Sequence, residues 1–276
     1  MVTVGITVSA LFTAHRERAT ICCCSSGVIV GMRFLVFQHI PIEHPGIFRE
    51  FLSAEGIAWD AVELDAGEGI PPLGGYDALW VMGGPMDVWE DDQHPWLATE
   101  KRAIRAAVAR GLPFMGICLG HQLLGAAMGG RVGKAAQAEV GILDVALTEA
   151  GRGDPLFQGM APVFKALQWH GAEVIEPPPG AAVLAQSPLC RVQAMRVGLH
   201  AYGLQYHTEL TRGTVGEWSR VPAYACSLDQ TLGAGALPRM EGEARRHMAD
   251  FNQDSRRLYD NFMTLTGLRQ RLRSRG

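Results

Sequence analysis

Residues 114–122 form the segment that most constrains the fold: an apolar run, FMGI, followed by CLGHQ. Cys118 has a glycine two residues to either side, Gly116 and Gly120. This spacing is typical of a nucleophile elbow, in which the reactive residue occupies a sharp turn between a buried strand and a helix, and the glycines relieve crowding. A helix N-terminus also stabilises a thiolate. The pattern therefore predicts that Cys118 is a catalytic nucleophile.

A cysteine nucleophile needs a base for its proton and a third group that orients the base. The run YGLQYHTE at 202–209 offers both in His207 and Glu209, which strand alternation places on the same side of the backbone. His121 is a weaker candidate, because adjacent helical residues point to different sides and His121 directly follows the elbow. We predict a triad of Cys118, His207 and Glu209, with His121 packed or solvated.

Three ordered motifs carry a family resemblance: GICLGHQ at 116–122, VQAMR at 192–196 and GLQYHTE at 203–209. Together they resemble the class I, or triad-type, glutamine amidotransferase family, and in particular stand-alone members similar to the glutaminase domain of GMP synthase. The resemblance extends from about Met32 to about Leu210 and more weakly to Phe262. It implies that the cysteine attacks the glutamine side-chain amide, that a γ-glutamyl thioester forms, and that ammonia leaves before water releases glutamate.

One position departs from the family pattern. Family members usually carry proline between the histidine and the glutamate, whereas this chain has Thr208. Proline would make that turn rigid without taking part in the chemistry, so we expect Thr208 to be tolerated.

The resemblance also implies an oxyanion hole made of two backbone amides. One belongs to Leu119, which directly follows the nucleophile. The other belongs to Gly84 in the GGP sequence at 83–85, which comes directly after a short apolar strand. Two successive glycines allow the backbone to approach a ligand closely, and preorganised amides stabilise a developing oxyanion.

Substrate contacts are assigned to one glutamine, one short segment and one histidine. Gln122 lies one helical turn after Cys118, and the resemblance implies that it contacts the substrate. Glu139, Val140 and Gly141 resemble the family segment whose backbone brackets the substrate's α-amino and α-carboxyl groups. His170, in QWHG at 168–171, is interpreted as part of a loop that lines the pocket and not as a base.

Two enzymatic functions and one non-enzymatic function fit these residues. The first is a glutaminase that hands ammonia to a separate synthetase subunit, since the segment after Glu209 is too short for a synthetase domain. The alternative is a free-standing γ-glutamyl peptidase or hydrolase with the same thioester chemistry and a larger leaving group. Both would hydrolyse the C–N bond of γ-glutamyl amides. The third, a catalytically silent regulatory protein, is disfavoured by the intact Cys, His and Glu.

Composition excludes several other classes. A formal net charge of −3 argues against nucleic acid as a partner, and no apolar run reaches the roughly 18 residues of a membrane span. The six cysteines form neither a disulfide framework nor a Cys-x-x-Cys metal site, which favours a reducing cytoplasm. No phosphate-binding loop is present, so we expect neither a nucleotide, another cofactor nor a metal.

The chain is predicted to hold one catalytic domain. Residues 1–31 look unrelated to the rest and are predicted to be a disordered or dispensable extension, with Met32 as the functional start. Residues 32–268 form the amidotransferase domain, and 269–276 a basic tail. The expected fold is layered α/β and flavodoxin-like, with a mostly parallel central sheet flanked by helices.

Alternating apolar and polar runs predict the individual elements. Strands are expected at 33–38, 58–64, 78–82, 114–117, 141–147, 181–185, 191–196 and 201–205, and helices at 45–55, 95–110, 121–128 and 241–265. Since open α/β sheets bind ligands at the carboxyl ends of their strands, we expect the active residues to gather there.

Overall fold

In the computed structural model, which describes residues 31–275, nine strands pair into one mixed sheet. The strands are β1 (Arg33–Gln38), β2 (Ala58–Glu63), β3 (Ala78–Val81), β4 (Phe114–Ile117), β5 (Arg131–Leu147), β6 (Val163–Glu176), β7 (Ala182–Gln186), β8 (Ala194–Val197) and β9 (Ala201–Leu204). Their order is β2-β1-β3-β4-β9-β8-β7-β5-β6. The first five run parallel, and the other four pair antiparallel.

Helices cover both faces of the sheet. They are α1 (Phe48–Ala54), α2 (Trp96–Ala109), α3 (Leu119–Ala127), α4 (Glu149–Gly153), α5 (Thr214–Trp218), α6 (Pro222–Leu232), α7 (Leu237–Leu265) and α8 (Leu268–Arg275), with 3₁₀ turns at Leu73–Gly75 and Pro155–Phe157. On one face α1 and α7 pack with β1 and β3 around Trp80. On the other, α2 and α3 pack against Leu35 and Leu79. The predicted α/β architecture with a mostly parallel central sheet flanked by helices is confirmed.

The parallel half of the sheet follows from its sequence. All residues of β3 and β4 are buried, and in β1 only Arg33 is exposed. Continuous apolar strands of this kind suit a parallel sheet that is covered on both faces. The strand order brings the carboxyl ends of β1, β3, β4 and β9 together at one edge, where ligands of such sheets bind.

The antiparallel half departs from the predicted elements. The strand expected at 141–147 is the second part of β5, and β6 was not predicted at all. The interpretation of residues 168–171 as a loop is wrong, because they lie within β6. Residues 166–170 are all buried, so the alternation that identifies a strand is missing there. A long antiparallel ladder with β5 stabilises the extended backbone instead.

The C-terminal region contains more helix than predicted. The expected helix at 241–265 is α7, which begins at Leu237, and α5 and α6 precede it. Most of the predicted basic tail forms α8, while residue 276 lies outside the described part of the chain. The prediction of a disordered or dispensable extension falls, for residues 1–30, outside the described residues. Between residues 31 and 275, no helix is both long and apolar enough to span a bilayer.

Candidate active site

Cys118 occupies the turn between β4 and α3. Its φ of 52° makes it the one residue other than glycine with a positive φ in the described part of the chain. A Cβ atom on Gly116 would lie 2.3 Å from the carbonyl oxygen of Gly120, and one on Gly120 would lie 2.1 Å from the carbonyl oxygen of Val81. Both glycines are therefore required for space. The turn has the strained geometry of a nucleophile elbow.

His207 and Glu209 follow β9 and form a buried pair. His207 Nδ1 lies 2.6 Å from Glu209 Oε1, and the backbone N–H of Thr208 donates to Glu209 Oε2 at 3.0 Å. Cys118 lies near enough to His207 to raise the pKa of its ring. Because Glu209 faces Nδ1, Nε2 is the nitrogen left for the thiol. The three predicted triad residues are thus brought together.

The electrostatic environment favours a protonated His207. Burial lowers the pKa of His207, but the charge of Glu209 and hydrogen bonds with Cys118 and Glu209 outweigh it and raise this pKa well above the usual 6.5. An imidazolium beside a cysteine stabilises the thiolate. The Oγ of Ser255, on α7, donates to Thr208 Oγ1 at 3.0 Å, so a side-chain hydrogen bond fixes the position where proline is usual.

His121 does not take part in this arrangement. Its ring is fully buried, and a Cβ atom on Gly203 of β9 would lie 2.5 Å from its Nδ1. Burial is the main cause that lowers the pKa of His121 to about 3. His121 is therefore a packed, neutral histidine, as predicted.

A cavity of about 190 Å³ opens in front of the nucleophile. Its lining residues are Gly84, Pro85, Met86, Asp87, Cys118, Leu119, Gln122, Trp169, His170, Gly171, Ala172, Ala223, Tyr224 and Ser227. The predicted nucleophile, both predicted oxyanion-hole residues, Gln122 and His170 thus share one cavity. Glu139, Val140 and Gly141 are not among the described residues that line it.

The Gly83-Gly84 loop lies close to the elbow. A Cβ atom on Gly84 would lie 2.9 Å from a methyl group of Leu119 and 2.8 Å from the Cβ of His39. The N–H of Gly120 also donates to the carbonyl oxygen of Met82 at 3.1 Å, which ties the helix start to the end of β3. Only glycine fits at position 84 without displacing these neighbours.

A chain of amide hydrogen bonds ends on the nucleophile. Gln122 Nε2 donates to the carbonyl oxygen of Ala172 and to Gln205 Oε1, both at 3.1 Å. Gln205 Nε2 in turn donates to Cys118 Sγ at 3.6 Å. Since a carbonyl oxygen only accepts, Ala172 fixes the orientation of both amides. Gln205 was not predicted as a site residue, although its position two residues before His207 on the same strand run is a usable signal.

Glu139 belongs to a buried network behind the cavity. Its carboxylate accepts hydrogen bonds from Ser187 Oγ at 2.6 Å and from Gln193 Nε2 at 2.7 Å. His170 Nε2 lies 3.2 Å from Glu139 Oε2, and His170 Nδ1 donates to the carbonyl oxygen of Ala172 at 2.9 Å. Glu139 therefore supports a residue of the cavity wall.

Glu43 and Tyr224 are further site residues that sequence reasoning missed. The Tyr224 hydroxyl, on α6, donates to Glu43 Oε1 at 2.5 Å. A Cβ atom on Gly83 would lie 2.6 Å from Glu43 Oε2, so this carboxyl packs directly on the GGP loop. Burial raises the pKa of Glu43, and the charge of His207 opposes that shift. The pair ties α6, a wall of the cavity, to the loop at the end of β3.

No cluster of three or more metal-binding side chains occurs between residues 31 and 275. The three cysteines of this region, Cys118, Cys190 and Cys226, are free thiols. Burial raises the pKa of Cys190 far above its ordinary range. Of the two buried thiols, only Cys118 faces the cavity.

The fold and the site define an α/β protein with a cysteine at a nucleophile elbow, facing a small cavity at the carboxyl edge of a parallel sheet. The family model for "Glutamine amidotransferase class-I" matches residues 52–218. The chain belongs to the class I glutamine amidotransferase family. The resemblance inferred from its motifs is thereby confirmed.

Individual relatives agree with this assignment. The chain is 34% identical over 152 residues to a glutamine-hydrolyzing GMP synthase subunit of Sulfurisphaera tokodaii, covering 55% of this chain and 77% of the relative. Among solved structures, a glutamine amidotransferase of Thermotoga maritima superposes with a TM-score of 0.75 at 25% identity, covering 84% of this chain and 97% of the other. A glutamine amidotransferase of Methylobacillus flagellatus gives 0.72 at 27% identity, covering 85% and 94%.

Proposed function

We propose that this protein hydrolyses the side-chain amide of L-glutamine through a γ-glutamyl thioester on Cys118. The observation that carries the proposal is the buried pair of Glu209 and His207, 2.6 Å apart, beside Cys118 at an elbow that faces a small cavity. Each member has the surroundings that its role requires, because the base is oriented by a buried carboxylate and the nucleophile lies at a helix N-terminus.

The proposed reaction has two stages. The Cys118 proton passes to His207, and the thiolate attacks the amide carbon, forming a C–S bond while the N–H groups of Gly84 and Leu119 stabilise the oxyanion. His207 then returns the proton to the departing nitrogen, the C–N bond breaks, and ammonia leaves a thioester. In the second stage His207 takes a proton from water, the hydroxide attacks the thioester carbon, and glutamate is released as the thiol is restored.

The size of the cavity supports glutamine over a larger γ-glutamyl compound. Its volume of about 190 Å³ is below the roughly 300–1,000 Å³ typical of sites for drug-sized ligands. Ala223, Tyr224 and Ser227 of α6 close one side. A free amino acid suits this space better than a γ-glutamyl peptide.

The same residues indicate how the substrate is held. Both amide hydrogens of Gln122 face protein acceptors, so its Oε1 is left to accept a hydrogen bond from a donor on the substrate. We further propose that Glu139, Val140 and Gly141 act through β6, where they pair in turn with His170, Trp169 and Gln168, the first two of which line the cavity. This role replaces the direct contact with the substrate backbone groups that the resemblance implied.

The destination of the ammonia is a separate part of the proposal. One relative is named as a glutamine-hydrolyzing subunit of GMP synthase. By analogy, we propose that the ammonia passes to an acceptor synthetase on a separate chain.

The test is turnover on L-glutamine beside a panel of γ-glutamyl amides and γ-glutamyl peptides, measured as glutamate release. We expect glutamine to be preferred, and Cys118→Ala to lower kcat by at least about 1,000-fold, as removal of a covalent nucleophile does. Circular dichroism should show an unchanged fold, since the variant removes one sulfur atom. Preference for peptides would replace this proposal with a γ-glutamyl peptidase, and full activity of Cys118→Ala would refute both.

A further inference from the structure

Another buried histidine contacts the GGP loop without lining the cavity. His39 directly follows β1 and is fully buried. Its Nδ1 lies 2.7 Å from the carbonyl oxygen of Gly83, and its Nε2 lies 3.0 Å from Glu100 Oε1. Its ring stacks on Trp96, with 5.4 Å between the ring centroids. His39 does not line the cavity, so the proposed reaction gives it no chemical step.

The hydrogen bond to Gly83 has a geometric consequence. The C=O of Gly83 and the N–H of Gly84 belong to the same peptide group, and in a planar trans peptide these two bonds point in opposite directions. By holding the carbonyl oxygen on its own side, His39 directs the Gly84 N–H away from itself. Since Gly84 lines the cavity beside Leu119, the N–H is aimed at the side where the oxyanion would form.

A peptide between two glycines needs such a restraint. Without Cβ atoms, glycines reach backbone conformations closed to other residues, so little prevents this peptide from rotating. Larger residues are excluded, because a Cβ atom would lie 2.6 Å from the Glu43 carboxyl at Gly83 and 2.8 Å from His39 at Gly84. Close approach to the elbow therefore requires glycines, and the resulting freedom has to be removed by a contact from outside the loop.

The partners of its two ring nitrogens suit His39 to holding the peptide and leave neither nitrogen free for proton transfer. A carbonyl oxygen only accepts, so Nδ1 must carry the hydrogen in the bond to Gly83. Nε2 faces Glu100, which is fully buried on the inner stripe of α2 with Leu97 and Ile104. Both ring nitrogens are thus engaged by protein atoms. Glu100 fixes the ring, and the ring fixes the peptide.

We propose that His39, anchored by Glu100, is a positioning residue that holds the Gly83–Gly84 peptide with its N–H directed at the oxyanion. The inference rests on the proposed function, because it assigns the second donor of that reaction to a fixed orientation. It predicts a specific loss of transition-state stabilisation in variants that release the carbonyl oxygen of Gly83.

The experiment compares His39→Ala with His39→Asn in glutamine hydrolysis. Loss of one oxyanion donor lowers kcat by about 100- to 1,000-fold in enzymes of known mechanism. Loss of the restraint leaves the donor present but misdirected for part of the time, so we expect kcat to fall by about 10- to 100-fold. KM should change by less than about twofold, because the ground-state amide does not depend on this donor. The Asn side chain places a donor near the position of Nδ1, so His39→Asn should recover most of the kcat.

Alkylation of Cys118 by iodoacetamide separates positioning from general damage. In this reaction the thiolate displaces iodide from a CH₂ carbon, and no oxyanion develops on a carbonyl group. We therefore expect both variants to be alkylated at the same rate as the wild type. Tyr202→Phe is the matched control. It removes a buried hydrogen bond of 3.1 Å, to Asp154, from a residue that does not line the cavity, and it should keep wild-type kcat and KM.

Several outcomes would overturn the proposal: an alkylation rate that falls with kcat, a loss confined to KM, or an Asn variant as slow as the Ala variant. A crystal structure of His39→Ala tests the positioning role of His39 without any measurement of turnover. The Gly83–Gly84 peptide should be rotated or split between two orientations, and an unchanged peptide would refute the positioning role. If the wild type hydrolyses no γ-glutamyl compound, the proposed function fails, while this crystal structure still decides the role of His39.

Discussion

The Cys118 elbow and the Gly83–Gly84 loop are each supported by the same pair of residue types. His207 contacts Glu209 beside Cys118, and His39 contacts Glu100 beside the loop, each histidine buried and within 3.0 Å of its carboxylate. The difference lies in the second ring nitrogen. In His207 it is the nitrogen left for Cys118, whereas in His39 it holds a backbone carbonyl oxygen.

In the two proposed roles, a histidine–carboxylate pair has no role of its own. The same pair can move a proton or fix a peptide, and the partner of the second nitrogen decides which. A base needs a nitrogen that is free to gain and lose a proton during the reaction. A positioning residue needs both nitrogens permanently engaged. Three changes at the two carboxylates test this distinction.

Glu209→Gln should have the largest effect. Glu209 accepts a hydrogen bond through each oxygen, from His207 Nδ1 and from the Thr208 N–H. A glutamine has only one oxygen, so its NH₂ group must face either another donor or Nδ1, and in the latter case it forces the proton onto Nε2. A triad histidine in the wrong tautomer loses about 10⁴-fold in kcat, so we expect a loss of 100- to 10,000-fold, measured as glutamate release.

If Glu209→Gln retained most of its activity, the proposed difference between the two pairs would be wrong, because the orientation of His207 would then not depend on the carboxylate. Glu209→Ala is a useful reference. It removes the carboxylate that accepts from His207 but introduces no NH₂ group that could donate to the ring. We therefore expect it to be less damaging than the glutamine variant.

Glu209→Ala should also change how His207 responds to pH. The charge of Glu209 raises the pKa of His207, so its removal should lower that pKa towards or below 6.5. A histidine with a raised pKa contributes stability that is fully present below its unfolded pKa and is lost as pH rises through the folded pKa. The stability difference between wild type and variant should therefore be largest below about pH 6.5 and shrink at higher pH. Denaturation by urea at several pH values measures it, with the His207 ring titration by NMR as the direct check.

Glu100→Gln should have the smallest effect. His39 needs a hydrogen only on Nδ1, so its neutral Nε2 can accept from the glutamine NH₂, and Glu100 Oε2 makes no hydrogen bond that the variant would lose. No charge develops on His39 during the proposed reaction. We expect kcat to fall by less than about fivefold, the equivalent of roughly 1 kcal/mol for one hydrogen bond. A loss as large as that of Glu209→Gln would mean that the charge of the second pair matters and that the two pairs do not differ as described.

The sequence was sufficient for the parts of the site that depend on local geometry. The elbow could be predicted because Gly116 is demanded by the carbonyl oxygen of Gly120 in the same turn. His207 and Glu209 could be paired because strand alternation is a local rule. The inner parallel strands β1, β3, β4 and β9 could be predicted because burial on both faces gives each one an apolar run.

The parts that depend on distant contacts could not be predicted. In β6 the residues around Trp169 are buried on both faces and contain no alternation, and the strand is specified by its ladder with β5. Tyr224 enters the site because α6 folds back over the cavity. Glu100 is an intermediate case: it is a charged residue at the spacing of Leu97 and Ile104 on an amphipathic helix, and that placement signals a buried partner.

Because Cys118 has a positive φ, a substitution there can affect the activity and the stability of the fold differently. Such a backbone conformation costs of order 1–3 kcal/mol for any residue except glycine. Replacement by glycine would relieve that cost while it removes the reactive sulfur. An inherited change from cysteine to glycine at this position would thus produce a folded protein that keeps its cavity and lacks its nucleophile. Natural selection against such a change would act mainly on chemistry, because the relief of backbone strain offsets the loss of a small buried side chain and the added freedom of glycine in the unfolded chain.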